Sequence, residues 1–379
     1  MRSLILTLFP LLVSAVALPN PEAPDKTTQR RAVCTPASGT ADDTPAIISA
    51  IATCGNGGTI VIPAGTTYYL KQKLNFAGCV NCDFQLEGTL KANANTDIWK
   101  NYDCMIGLTN INKAKIRSLT GNGVIDGNGQ NSYDRFATDT SFYRPVMISI
   151  NGGNGITLSG FRMKNPPVAF NAVKGATNIV YSNLHMDATS KSTNNPKNTD
   201  GFDVTTSTYV TIQTIDITNQ DDCVAIKAGT SYVTVKDITC RGSHGLSIGS
   251  LGKTNNDAVS HIYFGNAHMI GSAKAAGIKN YPPTTGHGIT TITPCYGVSD
   301  ADCGTNPPGS YYNSVYFKNF SGKTSSHYAP VTGMVECGSG GNYDVHITGY
   351  TVTPSTGSGT FYCKNTPSNF GLSTCVAPP

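Results

Sequence analysis

Three short segments in the middle of the chain carry side chains suited to acid/base chemistry. They begin 22 positions apart and read Asn198-Thr199-Asp200, Gln220-Asp221-Asp222-Cys223 and Gly242-Ser243-His244-Gly245. Single acids in solvated loops are common. Three carboxylates and an imidazole at matching spacing, however, provide what a general acid and a general base require. The pattern predicts carboxylate-based catalysis by Asp200, Asp221, Asp222 and His244.

Short runs rich in β-branched residues surround these segments. Their starts are separated by 23, 31, 23 and 26 residues and fall at Ile156, Ile179, Val210, Val233 and Val259. A period in the twenties with several short strands per period predicts a parallel β-helix, in which each coil packs on its neighbours. A β-propeller is the structural competitor, but its repeat is nearer 40 residues, and the chain has one Trp.

The predicted fold explains how distant acids could meet. Equivalent positions on successive coils stack about 5 Å apart, so Asp200, one of the two adjacent aspartates and His244 should form one cluster. Crowded like charges raise at least one carboxyl pKa, which suits a general acid. Adjacent strand residues point to opposite faces, so Asp221 and Asp222 can share a cleft only if the chain bends there.

Composition supports an all-β chain with a single domain. The sequence has 379 residues, of which 40 are Gly and 13% are charged, a composition unlike that of helix-rich folds. One amphipathic stretch, from Thr44 to Ala52, predicts a short N-terminal helix. This helix would cap the first coil and block pairing at its edge.

The N-terminus predicts secretion. Residues 1–17 resemble a signal peptide, with Arg2 before the apolar run Leu4 to Val13, and residues 18–31 a propeptide that ends at Arg30-Arg31. The remaining domain, 32–379, keeps 23 basic and 21 acidic residues, a net charge of +2. This charge argues against nucleic-acid binding, and no later segment is apolar enough to enter a membrane.

Twelve cysteines in a secreted chain predict disulfides. Proximity in sequence suggests four pairs, namely Cys34 with Cys54, Cys223 with Cys240, Cys295 with Cys303, and Cys363 with Cys375. Cys79 and Cys82 have metal-ligand spacing, but no second such pair or nearby histidine accompanies them, which argues against zinc.

With Gly277-Ile278-Lys279 added, the motifs resemble the four signature segments of the polygalacturonases, glycoside hydrolase family 28. The resemblance extends from about Thr40 to the C-terminus. It implies a right-handed parallel β-helix and a secreted, monomeric enzyme that needs no metal or other cofactor. It also implies a substrate, the α-1,4-linked galacturonan backbone of pectin, hydrolysed with inversion.

The resemblance also assigns roles. Asp221 would protonate the leaving oxygen, Asp200 and Asp222 would activate water, and His244 would tune the protonation of the acid. Lys279 would bind a substrate carboxylate. Lys227 is either a solvated strand residue or a second carboxylate contact, and Asp203 is expected to cap a turn.

Two departures from the family pattern affect specificity. Gly277 stands where the family motif has Arg, which removes a bidentate carboxylate clamp that Lys cannot reproduce. This favours the branch of exo-polygalacturonases and xylogalacturonan hydrolases, whose clefts accept chain-end or substituted sugars. The stretch from Tyr281 to Val315 is also short, so a coil is expected to be missing near 285–310.

Several alternatives stay open at this level. A plain endo-polygalacturonase would share the motifs, and a missing coil would suit a pectin-binding protein with reduced activity. A pectin lyase would share the fold, but the Gln-Asp-Asp and Gly-Ser-His-Gly segments favour hydrolysis. Asn319-Phe320-Ser321 is an N-glycosylation sequon that predicts one surface glycan.

Overall fold

The structure is a computed structural model. It describes residues 31–252, 257–281, 311–324, 326, 329–338 and 342–378. From Ala32 onward the chain forms one compact unit. All the paired strands run parallel, and successive coils place strands on three faces. The predicted right-handed parallel β-helix is confirmed. Within the described residues, no helix combines the length and apolarity needed to cross a bilayer.

Two of the three faces belong to one 13-stranded sheet. The first face begins with β1 (Val33–Cys34), β2 (Thr59–Ile62), β5 (Asp83–Leu86), β8 (Lys115–Arg117) and β11 (Asn154–Ser159). The second begins with β3 (Thr67–Leu70), β6 (Thr89–Ala92), β9 (Val124–Asp126) and β12 (Arg162–Lys164). Four long strands then span both faces, namely β14 (Thr177–Asp187), β16 (Thr208–Thr218), β18 (Thr230–Arg241) and β20 (Val259–Ile270).

The third face is an eight-stranded sheet, called here the cleft sheet. Its strands are β4 (Leu74–Asn75), β7 (Cys104–Thr109), β10 (Val146–Asn151), β13 (Asn171–Lys174), β15 (Phe202–Thr205), β17 (Asp222–Ile226), β19 (Gly245–Leu251) and β21 (Ala276–Asn280). Every strand of this sheet points the same way, so its carboxyl ends share one edge and its amino ends the other.

Register along the long strands follows the first four predicted repeats, whereas the fifth is displaced, because Val233 pairs with Ile262 and Val259 pairs with Thr230. Ile156 pairs with Ile179, Ile179 with Val210, and Val210 with Val233. All four side chains are at most 1% exposed. Inward stacking of one aliphatic residue per coil stabilises each coil by roughly 1.5–3 kcal/mol per side chain.

In the part of the chain that the structure describes, helices interrupt the coils at three places. The predicted N-terminal helix is present as α1 (Thr44–Cys54), two residues longer than expected, and it buries Ile47 and Ile51 against the first coils. Two further helices, α2 (Thr96–Trp99) and α3 (Gln130–Thr138), lie in connections where the sequence predicted none.

Beyond the cleft sheet, the C-terminal part continues the parallel pattern in three smaller sheets. These contain β22 (Tyr311–Lys318) with β25 (Asn342–Thr348), β23 (Ser321–Lys323) with β26 (Thr351–Thr353), and β24 (Val331–Glu336) with β27 (Thr360–Lys364) and β28 (Cys375–Val376). Their core includes Val335, Val345 and Ile347.

Cysteine pairing agrees with most of the prediction. Disulfides join Cys34 to Cys54, Cys223 to Cys240 and Cys363 to Cys375, and a fourth joins Cys79 to Cys82. Cys104 and Cys337 are buried free thiols. The expected Cys295–Cys303 pair, the missing coil near 285–310 and the two leader segments ahead of residue 31 lie outside the described residues.

Candidate active site

The predicted acids converge at the amino ends of three neighbouring strands of the cleft sheet. Asp200 lies two residues before β15, Asp221 immediately precedes β17, and His244 immediately precedes β19. Asp222 is the first residue of β17. The coil repeat therefore brings together side chains that are more than 40 positions apart in sequence.

Polar side chains of the motifs fasten the three turns to one another. Thr199 Oγ1 accepts from Gln220 N at 3.0 Å, and Ser243 Oγ donates to the Asp221 carbonyl at 2.9 Å. Asn219, which is 1% exposed, directs Nδ2 at the carbonyls of Thr199 and Asp221. These buried bonds fix the turn backbones, so the carboxylates are held in place before any substrate binds.

The two adjacent aspartates share the cleft because the ladder is irregular at this point. The pairing of β17 with β19 shifts register between Asp222 and Val224, which breaks the strict alternation of side chains. One donor atom from each of Asp221, Asp222 and His244 lies within 4.8 Å of the others. The bend that their adjacency requires is therefore present.

His244 pairs directly with Asp221. The two meet through His244 Nδ1 and Asp221 Oδ1 at 3.1 Å, and the same oxygen accepts from Asp222 N at 2.8 Å. The hydrogen bond to Asp221 raises the pKa of His244. Burial opposes ionisation of Asp221, but the hydrogen bond and charge of His244 outweigh it, so the pKa of Asp221 is lowered.

Two lysines neutralise Asp222, whose side chain is 4% exposed. Lys279 Nζ donates to Asp222 Oδ2, while Lys274 Nζ lies 3.4 Å from Asp222 Oδ1 and donates to the His244 carbonyl at 2.6 Å. Ser247 Oγ also donates to Asp222 Oδ1, at 2.7 Å. In this state Lys279, the predicted ligand of a substrate carboxylate, binds a carboxylate of the protein.

Lys227 and Asp203 form a further ion pair, with Nζ and Oδ1 2.7 Å apart. Lys227 is therefore not simply a solvated strand residue. The expected turn-capping role of Asp203 is wrong, because the residue lies within β15 and faces outward between Ala172 and Ala225 of the adjacent strands.

Asp200 is the carboxyl group most inclined to keep a proton. Burial, followed by the charges of Asp203, Asp221 and Asp222, raises its pKa well above the usual value. The cluster contains these four carboxyl groups and the three ammonium groups of Lys227, Lys274 and Lys279. With His244 neutral the cluster carries one net negative charge, so one added proton, on His244 or on a carboxyl group, makes it neutral.

A column of small side chains crosses the cleft sheet beside this cluster. One residue per strand stands in register on the outer face, and from β7 to β21 the column comprises Gly107, Ser149, Ala172, Asp203, Ala225, Ser247 and Gly277. Six intervals of one strand spacing make the column about 29 Å long. We name it the small-residue column.

Gly277 is close to a lysine stem. A Cβ built on Gly277 would lie 2.9 Å from Lys274 Cε and 3.0 Å from Lys274 Cδ. The space beside this glycine is therefore partly filled, and Lys274 supplies a second cation that sequence reasoning missed. In the sequence, Lys274 is only a lysine three positions before Gly277. Its proximity to Asp222 arises when the coil folds.

The sequon residue Asn319 is exposed and lies between β22 and β23. Its backbone N donates to the Thr348 carbonyl at 2.9 Å. The side chain is accessible at a surface turn, and glycosylation there stays a prediction.

Clustered carboxylates and paired lysines on a parallel β-helix fit a glycosidase that acts on an acidic polysaccharide. The sequence profile described as Glycosyl hydrolases family 28 matches residues 54–375. The chain belongs to this family of pectin-degrading hydrolases.

Relatives narrow the comparison. The chain is 49% identical over 393 residues to a "Probable endo-xylogalacturonan hydrolase A" of Aspergillus fumigatus, covering 97% of each protein. It is 48% identical over 378 residues to "Endo-xylogalacturonan hydrolase A" of Aspergillus tubingensis, covering 94% of this chain and 93% of that protein. These names specify endo action, so they give no support to the exo-acting part of the expectation.

Two solved structures resemble this chain in fold. The crystal structure of endo-xylogalacturonan hydrolase from Aspergillus tubingensis superposes with a TM-score of 0.88 at 47% identity, covering 92% of this chain and 99% of that one. A polygalacturonase from Erwinia carotovora shares the fold, with a TM-score of 0.65 at 18% identity, and covers 88% of this chain and 97% of that chain.

Proposed function

We propose that this protein is a secreted, endo-acting hydrolase of xylogalacturonan that inverts the anomeric centre. The observation that carries the proposal is the cluster of four carboxyl groups and three lysines at the amino ends of β15, β17 and β19. Such a cluster can donate a proton, activate water and bind an acidic sugar at one place.

In the proposed reaction, Asp221 gives its proton to the glycosidic oxygen as the bond from that oxygen to the anomeric carbon breaks. Asp200 and Asp222 hold a water molecule on the opposite face of the sugar, and the ionised one of the two accepts the proton of the water as the new carbon–oxygen bond forms. His244, hydrogen-bonded to Asp221, sets the protonation of the acid. To close the cycle, the base releases the proton taken from water to solvent, and Asp221 takes up one proton from solvent.

Substrate binding supports the protonation that the acid needs. A galacturonate carboxylate that recruits Lys279 would draw this ammonium away from Asp222 and add a negative charge to the site. Both changes favour protonation of the remaining carboxyl groups. Binding and acid activation are therefore coupled in this proposal, and Lys227 offers a second contact for a neighbouring sugar acid.

Product analysis tests the function directly. On xylogalacturonan we expect mixed oligomers from the earliest time points, and NMR of the first products should show the inverted anomer at the new reducing end. Faster cleavage of bare polygalacturonate would favour a plain endo-polygalacturonase. Release of monomers or dimers alone would mean exo action, and ultraviolet-absorbing unsaturated products would mean a lyase.

Gly277 and Lys274 together are expected to admit substituted sugars. Arg at position 277 would meet the Lys274 stem, so the informative variants are Gly277→Arg alone and Gly277→Arg combined with Lys274→Asn. We expect the double variant to shift preference toward bare polygalacturonate by about tenfold, the worth of one additional charge-assisted contact. An unchanged substrate ratio in both variants would separate Gly277 from specificity.

This chain lacks residues that one of its relatives contains. The alignment with the Aspergillus fumigatus protein spans 393 positions, more than the 379 residues of this chain, so that relative contains residues without a counterpart here. This is consistent with a missing coil near 285–310. A binding protein with little activity would retain pectin without generating reducing ends, an outcome that the product assay detects.

Secretion and glycosylation are tested on the mature protein. N-terminal sequencing should find a start near Ala32, and an enzyme that removes N-glycans should lower the mass by one glycan at Asn319. A start at Met1, or an unchanged mass after expression in a glycosylating host, would contradict these expectations.

The reaction is proposed to proceed without a metal. Asp221, Asp222 and His244 stand close enough to hold a cation, but Lys274 and Lys279 already neutralise Asp222. Dialysis against a chelator should leave the rate unchanged, whereas a loss of activity that added calcium or zinc restores would contradict the proposal.

A further inference from the structure

Arg144 is a buried cation beside the active-site turns. It is 8% exposed, it precedes β10, and its guanidinium carbon lies 3.6 Å from the centre of the Phe136 ring of α3. Burial lowers the pKa of Arg144 to about 10. Among the described residues, no carboxylate lies within ion-pair distance of it. A buried charge without an ion partner is costly unless its donors are used.

Three oxygen atoms accept hydrogen bonds from the Arg144 guanidinium. Arg144 Nη1 donates to the carbonyls of Pro167, at 3.2 Å, and Lys197, at 2.7 Å, and Nη2 donates to Asn198 Oδ1 at 2.9 Å. The guanidinium thus joins the connection after β12 to the motif that contains Asp200. Because Lys197 and Asn198 are adjacent, it holds both the backbone and the side chain of this turn.

The contact with Arg144 determines which way the Asn198 amide faces. A guanidinium only donates, so the amide atom that meets it must be the oxygen. The nitrogen then points to the other side, where Asn198 Nδ2 donates to Asp221 Oδ2 at 3.2 Å. The backbone of Asn198 has φ of 61°, a left-handed conformation that asparagine tolerates better than most residues.

We propose that Arg144 is a positioning residue for the catalytic acid, acting through Asn198. By fixing the amide, Arg144 directs Asn198 Nδ2 to donate to Asp221 Oδ2. The other oxygen of Asp221 contacts His244 Nδ1 and accepts a hydrogen bond from Asp222 N. If the amide turned over, its oxygen would face Asp221 instead and would favour the protonated acid. This inference rests on the proposed role of Asp221 as the proton donor.

Asn198→Gly leaves every charge around Asp221 in place, whereas Arg144→Met also removes the cation of Arg144 itself. The charges that stay in both variants come from the turns and strands packed around Asp221, and they are Asp200, Asp203, Asp222, His244, Lys274 and Lys279. Since His244 titrates together with Asp221, the pH profile reports the pair. A shift of that profile in Asn198→Gly therefore reflects the loss of the amide donor, and the shift in Arg144→Met includes the lost charge as well.

The test measures kcat/KM on xylogalacturonan against pH for Asn198→Gly, which keeps the left-handed backbone without an amide, and for Arg144→Met. Loss of a donor raises the pKa of Asp221, so the acid keeps its proton to higher pH. We expect the basic limb of the profile to move up by about one pH unit in both variants.

Arg117→Met is the matched control, because Arg117 pairs with Asp83 on the first face and has no contact with the cleft turns. Arg117→Met should lower the free energy of unfolding and leave the basic limb of the pH profile where it is in the wild type. If Arg144→Met does not fold, Arg144→Lys takes its place, because Lys keeps the charge but cannot supply both Nη donors; it should move the limb in the same direction as Asn198→Gly.

An unmoved limb in Asn198→Gly, with the rate lowered equally at all pH values, would overturn the role of Arg144 and leave the proposed function intact. Near-normal activity of Asp221→Asn would instead overturn the function.

Discussion

Each coil turns twice at the cleft sheet, and the two turns use the same stacking for opposite purposes. At the amino ends of the strands, Asp200, Asp221 and His244 form what we call the carboxylate turns. Beyond the carboxyl ends, the long strands begin with the aromatic stack, composed of Tyr209, Tyr232 and His261. The two ring pairs have centres 4.9 and 4.3 Å apart and planes within 18° of parallel.

The difference shows what one strand spacing can do. All three residues of the aromatic stack have φ of 55° or 56°, a conformation that costs bulky side chains roughly 1–2 kcal/mol each. Attraction between their rings offsets part of that strain. In the carboxylate turns the same spacing forces like charges together, which changes proton affinity. Regular repetition therefore packs aromatic rings at one edge of the sheet and shifts the proton affinities of the carboxyl groups at the other.

The comparison predicts the largest effect for the acids. Asp221→Asn removes the transferable proton and should lower kcat by about 10²–10⁴-fold without unfolding the protein, as should Asp200→Asn and Asp222→Asn. Initial rates on xylogalacturonan, with circular dichroism to verify folding, provide the measurement. Near-normal turnover by Asp221→Asn would refute its role as the acid.

A smaller effect should separate the two lysines on Asp222. Lys279→Met should raise KM about tenfold or more, because a substrate carboxylate loses its ligand. Lys274→Met should act mainly on kcat, because Lys274 is bound to the His244 carbonyl and Asp222. Steady-state kinetics distinguish these outcomes, and equal changes in KM for both variants would show that they act as one binding site.

Replacing His244 should alter the pH dependence as well as the rate. The raised pKa of His244 stabilises the fold below its ordinary value of 6.5 and loses effect as pH rises through the folded value. The lowered pKa of Asp221 stabilises the fold above its ordinary value of 3.8 and loses effect as pH falls.

Stability contributed by this pair should therefore be greatest between about pH 4 and 6.5. The raised pKa of Asp200 also makes the folded state more stable at acidic pH than at higher pH. Thermal unfolding of the wild type and of His244→Ala across pH measures the difference, and the two curves should converge at alkaline pH. A constant difference across the whole range would mean that the His244–Asp221 pair does not titrate as proposed.

The aromatic stack should affect stability alone. Tyr232→Ala removes two ring contacts and keeps the strained backbone, so it should lower the free energy of unfolding by about 1–3 kcal/mol. Activity per folded molecule should be unchanged. Tyr263→Ala, an exposed tyrosine of β20 outside the stack, is the control. Equal destabilisation by the two variants would show that the stacking has no special weight.

Local sequence pattern predicted most of the architecture. The repeats at Ile156, Ile179, Val210 and Val233 pair in register as expected, because one inward aliphatic residue per coil leaves a signal at a fixed period. The helix α3 was missed because it is short, polar and placed in a connection, where it leaves no repeat. Its contribution is nevertheless structural, since Phe136 supports Arg144.

The sequence predicted which motif residues lie together, but it did not predict the residues that support them; the catalytic roles stay predictions. Asp200, Asp221, Asp222 and His244 share a spacing that folding converts into proximity. Arg144 reaches Asn198 across 54 positions, and Lys274 reaches Asp222 across 52, with no periodic relation between either pair. Contacts of this kind depend on where long side chains end, which the sequence does not encode locally.

The small-residue column has a consequence for how such an enzyme could be modified. Each coil contributes one position along the cleft, so a bulky residue introduced at Ala172 would block a location two strands from β17 without touching the proton-transfer groups. Its effect would depend on the length of the oligosaccharide and vanish for chains too short to reach it. Subsite mapping with oligomers of graded length would then assign each coil to a sugar unit, and the preferred product size could be altered independently of turnover.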